Sequence, residues 1–326
     1  MTASAPPPSD APADRARAEH VRAGAVTGLV SALAQLTRGF AMGAADIVPG
    51  VSGGTVALVL GIYEHLILAV RQGALALGAF VRLDLATGWQ RLRSVDWAFL
   101  LPLLTGLGLA VVVLAGPLSH LLEDEPVIMA SVFVGLIAGS VVVASREVEQ
   151  RDGMRYVVGV VAGLVTFFLL GVRGASVEDA SLVMFLGAGA VAICAMILPG
   201  ISGSFILVML GMYQLVLDAV QARDLVTVAA VGAGAVIGLA LFSAGLNWLL
   251  REHRDTVLAA LIGLMAGSLR VLWPWPAEEG FDDVRLGAPV AHEAATAVLV
   301  AVVSFVVVVI VASWANRAAH DEAVAT

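Results

Sequence analysis

The chain of 326 residues contains no lysine; all 18 of its basic residues are arginine. Topology must therefore be read from arginine alone. It contains one cysteine, Cys194, which excludes an intramolecular disulfide and a cysteine-built metal site. Cys194 reads as a small apolar packing residue. His65 and His120 have no metal-ligand spacing to other His, Cys or carboxylate residues, so neither a metal nor a cofactor is expected. Charged residues make up only 13% and aromatics 6%. A nucleic-acid partner is not expected.

What remains is apolar. The chain is 60% hydrophobic, with a mean hydropathy of +0.94. No soluble domain of this length needs so much apolar surface, and a bilayer does. Residues 1–21, rich in Ala, Pro, Ser and Asp, read as a disordered cytoplasmic tail rather than a cleaved leader, since they lack an apolar core. Ten apolar runs follow, near 22–48, 51–70, 97–117, 127–145, 155–172, 181–198, 201–220, 225–248, 256–273 and 294–314. A helix needs about 20 residues to cross the hydrocarbon, and most runs reach that length. The reading is an all-α polytopic integral membrane protein. A single transmembrane domain covers 22–314, and a short cytoplasmic tail covers 315–326.

The domain is duplicated. Pro49 and Pro199, Gly61 and Gly211, and Tyr63 and Tyr213 all stand 150 positions apart, so LGIY at 60–63 answers LGMY at 210–213. VGLIAGS at 134–140 answers IGLMAGS at 262–268, 128 apart, and Thr166-Phe167 is paired with Ser304-Phe305, 138 apart. This is an internal repeat of two units, 22–172 and 181–314, with five runs each. An odd number of crossings per unit turns the second upside down, as in many secondary transporters.

Arginine counts set the sides. With the segment 71–96 taken as a cytoplasmic loop, 13 arginines fall inside and four outside (Arg173, Arg223, Arg270 and Arg285). Both termini are then cytoplasmic. The six tryptophans cluster at or just beyond run ends, as an interfacial belt would.

Two turns interrupt the runs: Pro49-Gly50-Val51-Ser52-Gly53-Gly54-Thr55 and Pro199-Gly200-Ile201-Ser202-Gly203-Ser204. Pro and Gly stop a helix, and the Ser and Gly residues leave backbone N–H groups free where the next helix begins. Such groups attract anions. Neither turn has the charge that would mark an interface, which favours re-entrant hairpins with tips near mid-bilayer over fully spanning runs with surface turns, and both arrangements stay open. Close helix packing is the alternative role for the glycines and serines. Arg38, whose counterpart is Ala188, suits a phosphate; the other readings are snorkelling or an ion pair with Asp46. Asp46, replaced by Met196 in the second unit, is a cap for backbone N–H groups or a carrier of a coupling proton. Glu64, replaced by Gln214, is a second coupling candidate. The glycine faces 135–139 and 263–267 leave open whether they pack within a subunit or between subunits of a homo-oligomer.

The segment RGFAMGAADIVPGVSGGTVALVLGIYE (38–64) resembles the signature of the DUF368 family of bacterial membrane proteins, and ILPGISGSFILVMLGMY (197–213) resembles that family's second repeat. The resemblance implies a multi-pass protein of the bacterial plasma membrane. It implies a flippase that returns polyprenyl phosphate, undecaprenyl phosphate in particular, for recycling of the carrier lipid. It places the substrate at Arg38, Asp46, Pro49, Gly50, Ser52, Gly53, Gly54 and Thr55 and at the second turn. Two alternatives stand beside it. One is a membrane phosphatase acting on polyprenyl pyrophosphate; there the related family carries an Arg in its turn, where this chain has Gly53 and Gly203. The other is an anion channel or small-anion transporter.

Overall fold

A computed structural model describes residues 11–48, 51–172, 177, 180–277 and 286–325. It is all-helical among these residues. The first unit comprises α1 (Ala11–Asp46), α2 (Gly53–Val59), α3 (Tyr63–Val81), α4 (Leu85–Arg93), α5 (Trp97–Asp124), α6 (Pro126–Ala144) and α7 (Gly153–Leu169). The second comprises α8 (Leu182–Ile197), α9 (Gly203–Met209), α10 (Tyr213–Gln221), α11 (Leu225–Glu252), α12 (Arg254–Ser268) and α13 (Ala291–Ala325). Five helices, α3, α5, α6, α11 and α13, are long and apolar enough to cross a membrane. The protein is a multi-pass membrane protein.

All ten expected runs are helical, and two are broken at the same place. After seven residues α2 ends at Leu60, Gly61 adopts φ +68°, and α3 starts at Tyr63; α9 ends likewise at Leu210, with Gly211 at φ +67°. A left-handed φ favours glycine, which is why LGIY and LGMY survive as a pair. The α9–α10 pair bends by 112° at this break. The chain leaves α3 and α10 alike, through Leu83 at φ +61° and Arg223 at φ +55°, each followed by an Asp that caps the next helix. Hydrogen bonds from Thr87 and Thr227 hold the Asp84 and Asp224 carboxyls below the usual carboxylate range, so both caps are ionised at neutral pH.

The shift in repeat spacing now has a cause. The left-handed residues are 140 apart (223 minus 83), so α3 is ten residues longer than α10. α4 and its linker then reduce the spacing to 128, which α5 and α11 keep over 28 residues each. The segment 71–96 is therefore not a loop. Arg71 lies inside α3 and donates from Nη1 to Oδ1 of the buried Asn247 of α11, at 2.6 Å.

Small residues set which helices touch. Gly39 of α1 lies on the Leu103 carbonyl of α5, and Gly106 lies on that of Leu36; in the second unit Gly189 lies on Val231 and Gly234 on Leu186. These are the same contacts at spacings of 150 and 128. The later helices exchange partners. α6 packs on α13 and α12 on α7, so each unit completes the other. Gly135 meets Ala301 and Ser304, and Gly263 meets Gly159 and Ala162. That relates α7 to α13 by 142 positions (301 minus 159). The 138 read from Thr166-Phe167 and Ser304-Phe305 is one helical turn off. The glycine faces 135–139 and 263–267 thus pack within one chain. Trp275 is buried and bonds Glu293 at 3.0 Å, so it serves packing as well as the interface.

Both ends of the chain differ from expectation. α1 begins at Ala11 and α13 runs to Ala325, so helix extends into segments read as tails. Their Ala, Arg and Glu residues are strong helix formers. Arg173, Glu278, Glu279, Asp282, Asp283 and Arg285 lie outside the described residues.

Gly234→Ala would drive a methyl into the Leu186 carbonyl, whereas a Cβ at Gly232 meets nothing within 4 Å. Overpacking costs about 1–3 kcal/mol. Gly234→Ala should lower the thermal midpoint in detergent by several degrees, and Gly232→Ala should leave it unchanged or raise it.

Candidate functional site: two turns in contact

α8 ends at Ile197, so its last carbonyls have no partner within the helix. The first turn supplies donors. Ser52 Oγ lies 3.4 Å from both the Met196 and the Leu198 carbonyl, and Tyr63 Oη donates to the Ile197 carbonyl at 3.2 Å. Gly54 is equally close: an added Cβ would come within 2.9 Å of the Ile197 carbonyl. Ser52, Thr55, Tyr63 and Pro199 are all buried. The first turn is therefore hydrogen-bonded to the end of α8 that leads into the second turn, with Ser52 and Met196 144 residues apart in sequence.

Each turn is finished differently. In the first, the chain doubles back so that the Asp46 carboxylate at the end of α1 accepts from Gly53 N–H at 2.6 Å. Ser52 Oγ accepts from Gly54 N–H at 3.1 Å, and Thr55 N–H bonds the Ser52 carbonyl. The three leading donors of α2 are satisfied. The carboxylate sits where an anion would sit, which is favourable at a helix start. A Cβ at Gly53 would lie 2.5 Å from Asp46 Oδ2 and would displace the capping carboxylate.

In the second turn the thioether of Met196 stands in place of that carboxylate. Ser202 makes no cap bond; its hydroxyl pairs with Ser204 Oγ at 2.8 Å, and Ser204 is exposed. No acceptor among the described residues takes the N–H of Gly203, Ser204 or Phe205. Gly200, at φ +85°, presses on Met265 and Ser268 of α12. Among the described residues the unsatisfied helix-start N–H groups thus lie at the second turn and not at the first.

The other expected site residues are dispersed. Arg38 is two turns before Asp46, about 12 Å along the helix, and bonds Gln35 Oε1 at 3.3 Å. That separation excludes the Arg38–Asp46 ion pair. Glu64 is not free: its carboxylate holds Arg254 Nε at 2.6 Å, and Arg254 Nη1 also donates to the Glu147 carbonyl. Thr55 Oγ1 is buried without a partner among the described residues. Pro49 and Gly50 lie outside the described residues. No cluster of three metal-binding side chains occurs among the described residues. Sequence reasoning used Tyr63 only as a repeat marker; its position in both LGIY and LGMY was the available signal for a structural tie.

Broken helices inside a duplicated helical body are the build of secondary transporters. Over residues 42–290 the sequence matches the model of the VCA0040-like, undecaprenyl phosphate translocase-like family. The chain belongs to that family. A polyprenyl-phosphate transporter of Vibrio cholerae is 40% identical over 249 residues, covering 74% of this chain and 78% of its own length. A polyprenyl-phosphate transporter of Staphylococcus aureus is 30% identical over 256 residues, covering 73% and 85% respectively. No solved structure matches.

The asymmetry of the turns is open to measurement. Ser52→Ala removes a cap and two carbonyl contacts and should cost about 1–2 kcal/mol. Ser202→Ala should cost a few tenths of a kcal/mol, because Ser202 caps nothing. Thermal unfolding of both variants in detergent checks the difference.

Proposed function

We propose that this protein is a flippase for polyprenyl phosphate in the bacterial plasma membrane, with undecaprenyl phosphate as the natural carrier lipid. Both relatives carry the name polyprenyl-phosphate transporter. The observation that carries the reading is a self-capped first turn hydrogen-bonded to the helix end that leads into an open second turn. A phosphate head cannot cross hydrocarbon unaided, since an uncompensated charge there is very costly. Ser202, Ser204 and the N–H groups of Gly203, Ser204 and Phe205 offer it donors, while Pro199 and Gly200 hold the turn against α12. The first turn, from Asp46 through Ser52, Gly53, Gly54 and Thr55, braces the second. Pro49, Gly50 and Arg38 belong to the same proposed site, Arg38 as an outer contact on the head's way in.

The arms that follow the turns, α2 and α9, are too short to span. Seven residues extend about 10 Å, a third of the hydrocarbon thickness, which favours re-entry over full crossing. With Arg71 withdrawn from the loops, arginine still favours the inner side by twelve to four, and both termini are cytoplasmic in this reading. Asp46 is the coupling candidate. Glu64 would have to release Arg254 to take that role.

Two measurements test the reading. In liposomes, the double variant Ser202→Ala with Ser204→Ala should slow the transbilayer movement of a fluorescent polyprenyl phosphate at least tenfold with protein insertion intact; wild-type speed would remove the open-turn site. Phosphate release from polyprenyl pyrophosphate would instead favour the phosphatase. In Asp46→Asn, the amide oxygen can still accept from Gly53 N–H. The variant should stay folded but lose the response of transport to pH and membrane potential; an unaltered response would clear Asp46 of coupling.

A further inference from the structure

α7 and α12 touch through glycines. Gly159 and Gly163 lie on the carbonyls of Ala259 and Gly263, and Gly263 and Gly267 lie on those of Gly159 and Gly163. Beside this contact the helices leave a trough of about 540 Å³, lined by Tyr156, Val160, Leu164 and Phe167 of α7 and by Ile262 and Ala266 of α12. Val160 and Leu164 are exposed along it, so it opens sideways.

The ends of the trough differ from its walls. Arg151 and Arg155 stand at one mouth. Arg151 donates from Nε to the Val148 carbonyl and from Nη2 to the Ser145 carbonyl. Arg155 pairs with Asp152 and Gln150, and its Nε is buried without a partner among the described residues. These bonds leave donor capacity and fix both guanidinium groups in place. At the far end Arg270 stacks over Phe167, 4.8 Å from the ring centroid. From Arg155 to Phe167 the helix rises about 18 Å. In the related pair α6–α13, Phe305 takes the position of Gly163.

We infer that the α7–α12 trough is a membrane-facing seat for the transported lipid, with the phosphate on Arg151 and Arg155 and the polyprenyl chain along α7. The inference rests on the substrate named under the proposed function. Charge and shape select the occupant. A phosphate monoester carries up to two negative charges near neutral pH and suits paired guanidinium groups. A single apolar trough accepts one chain, whereas a membrane phosphodiester brings two chains and one charge. The seat is distinct from the paired turns: Met265 and Ser268, which hold Gly200, face away from Ile262 and Ala266 on α12. It serves as a waiting position for the lipid before or after the turn site.

The test uses the full chain in liposomes of phosphatidylethanolamine and phosphatidylglycerol, with a fluorescent polyprenyl phosphate as the probe. Val160→Trp fills the trough from an exposed position, and Arg155→Gln removes a head contact. Val161→Trp is the control, also exposed on α7 but not lining the trough. Val160→Trp and Arg155→Gln should each weaken binding at least tenfold, Val161→Trp should not, and uncharged polyprenol should fail to compete. Wild-type binding and transport in Val160→Trp and Arg155→Gln, with Ser202→Ala/Ser204→Ala impaired, would overturn the seat and leave the proposed function standing. Equal competition by phosphatidylglycerol would overturn it as a general lipid groove. No binding of the probe to the wild type would overturn the seat and the proposed function together.

Discussion

A backbone group without a hydrogen-bond partner costs several kcal/mol in hydrocarbon, and this chain interrupts two helices in its apolar body. Every interruption has to be answered by a neighbouring part of the protein. The carbonyls that α8 leaves over are met by the hydroxyls of Ser52 and Tyr63 from the other half. That tie explains why Ser52 and Tyr63 are buried, why Gly54 cannot carry a side chain without crowding Ile197, and why the halves cannot be separated. The exchange of α6 and α7 between α13 and α12 enforces the same union from outside.

Duplication supplies two equal breaks, and divergence makes them unequal. One substitution pair does most of this. Where the first half has Asp46, the second has Met196. A carboxylate folded back on Gly53 closes one helix start, while the thioether against Gly203, a weak acceptor at best, takes no hydrogen bond from its N–H. A transporter with two identical open helix starts would hold an anion symmetrically and firmly. In the proposed function, closing one of them leaves a single set of free N–H donors for the anion and makes the closed start its support.

Much of this was legible in the sequence, for identifiable reasons. Gly61 and Gly211 mark the breaks because only a left-handed glycine turns the chain there. The motif pair 134–140 and 262–268 aligned correctly because its glycines are contact points that side chains would spoil. Where such markers were missing, the reading slipped. α7 and α13 are long runs of Val, Leu and Ala, and a register one turn off looks equally good in them. Arg71 was assigned to a loop because it begins an arginine-bearing stretch; the amide that holds it, Asn247, is 176 residues away. Arg38 and Asp46 seemed close in sequence, but helix geometry sets them two turns apart. The unequal roles of the turns depend on where a carboxylate folds, and no spacing reveals that.

The position of α12 ties these observations to transport. One face of α12 holds the second turn through Met265 and Ser268, and the opposite face forms the glycine contact with α7. A rigid helix placed between two such surfaces cannot shift against one without disturbing the other. Its N-terminus is fixed as well, since Arg254 binds Glu64 of α3 and the Glu147 carbonyl, and Asp255 accepts from Gln150 N–H at 2.9 Å. Any movement that alternates access to the turns must therefore carry α12 and α7 together as one body, or break the Glu64–Arg254 pair. In the second half Gln214 replaces Glu64 and bonds Asp218 within its own helix. The Glu64–Arg254 pair therefore ties α3 of the first half to α12 of the second, and Gln214 does not repeat that tie.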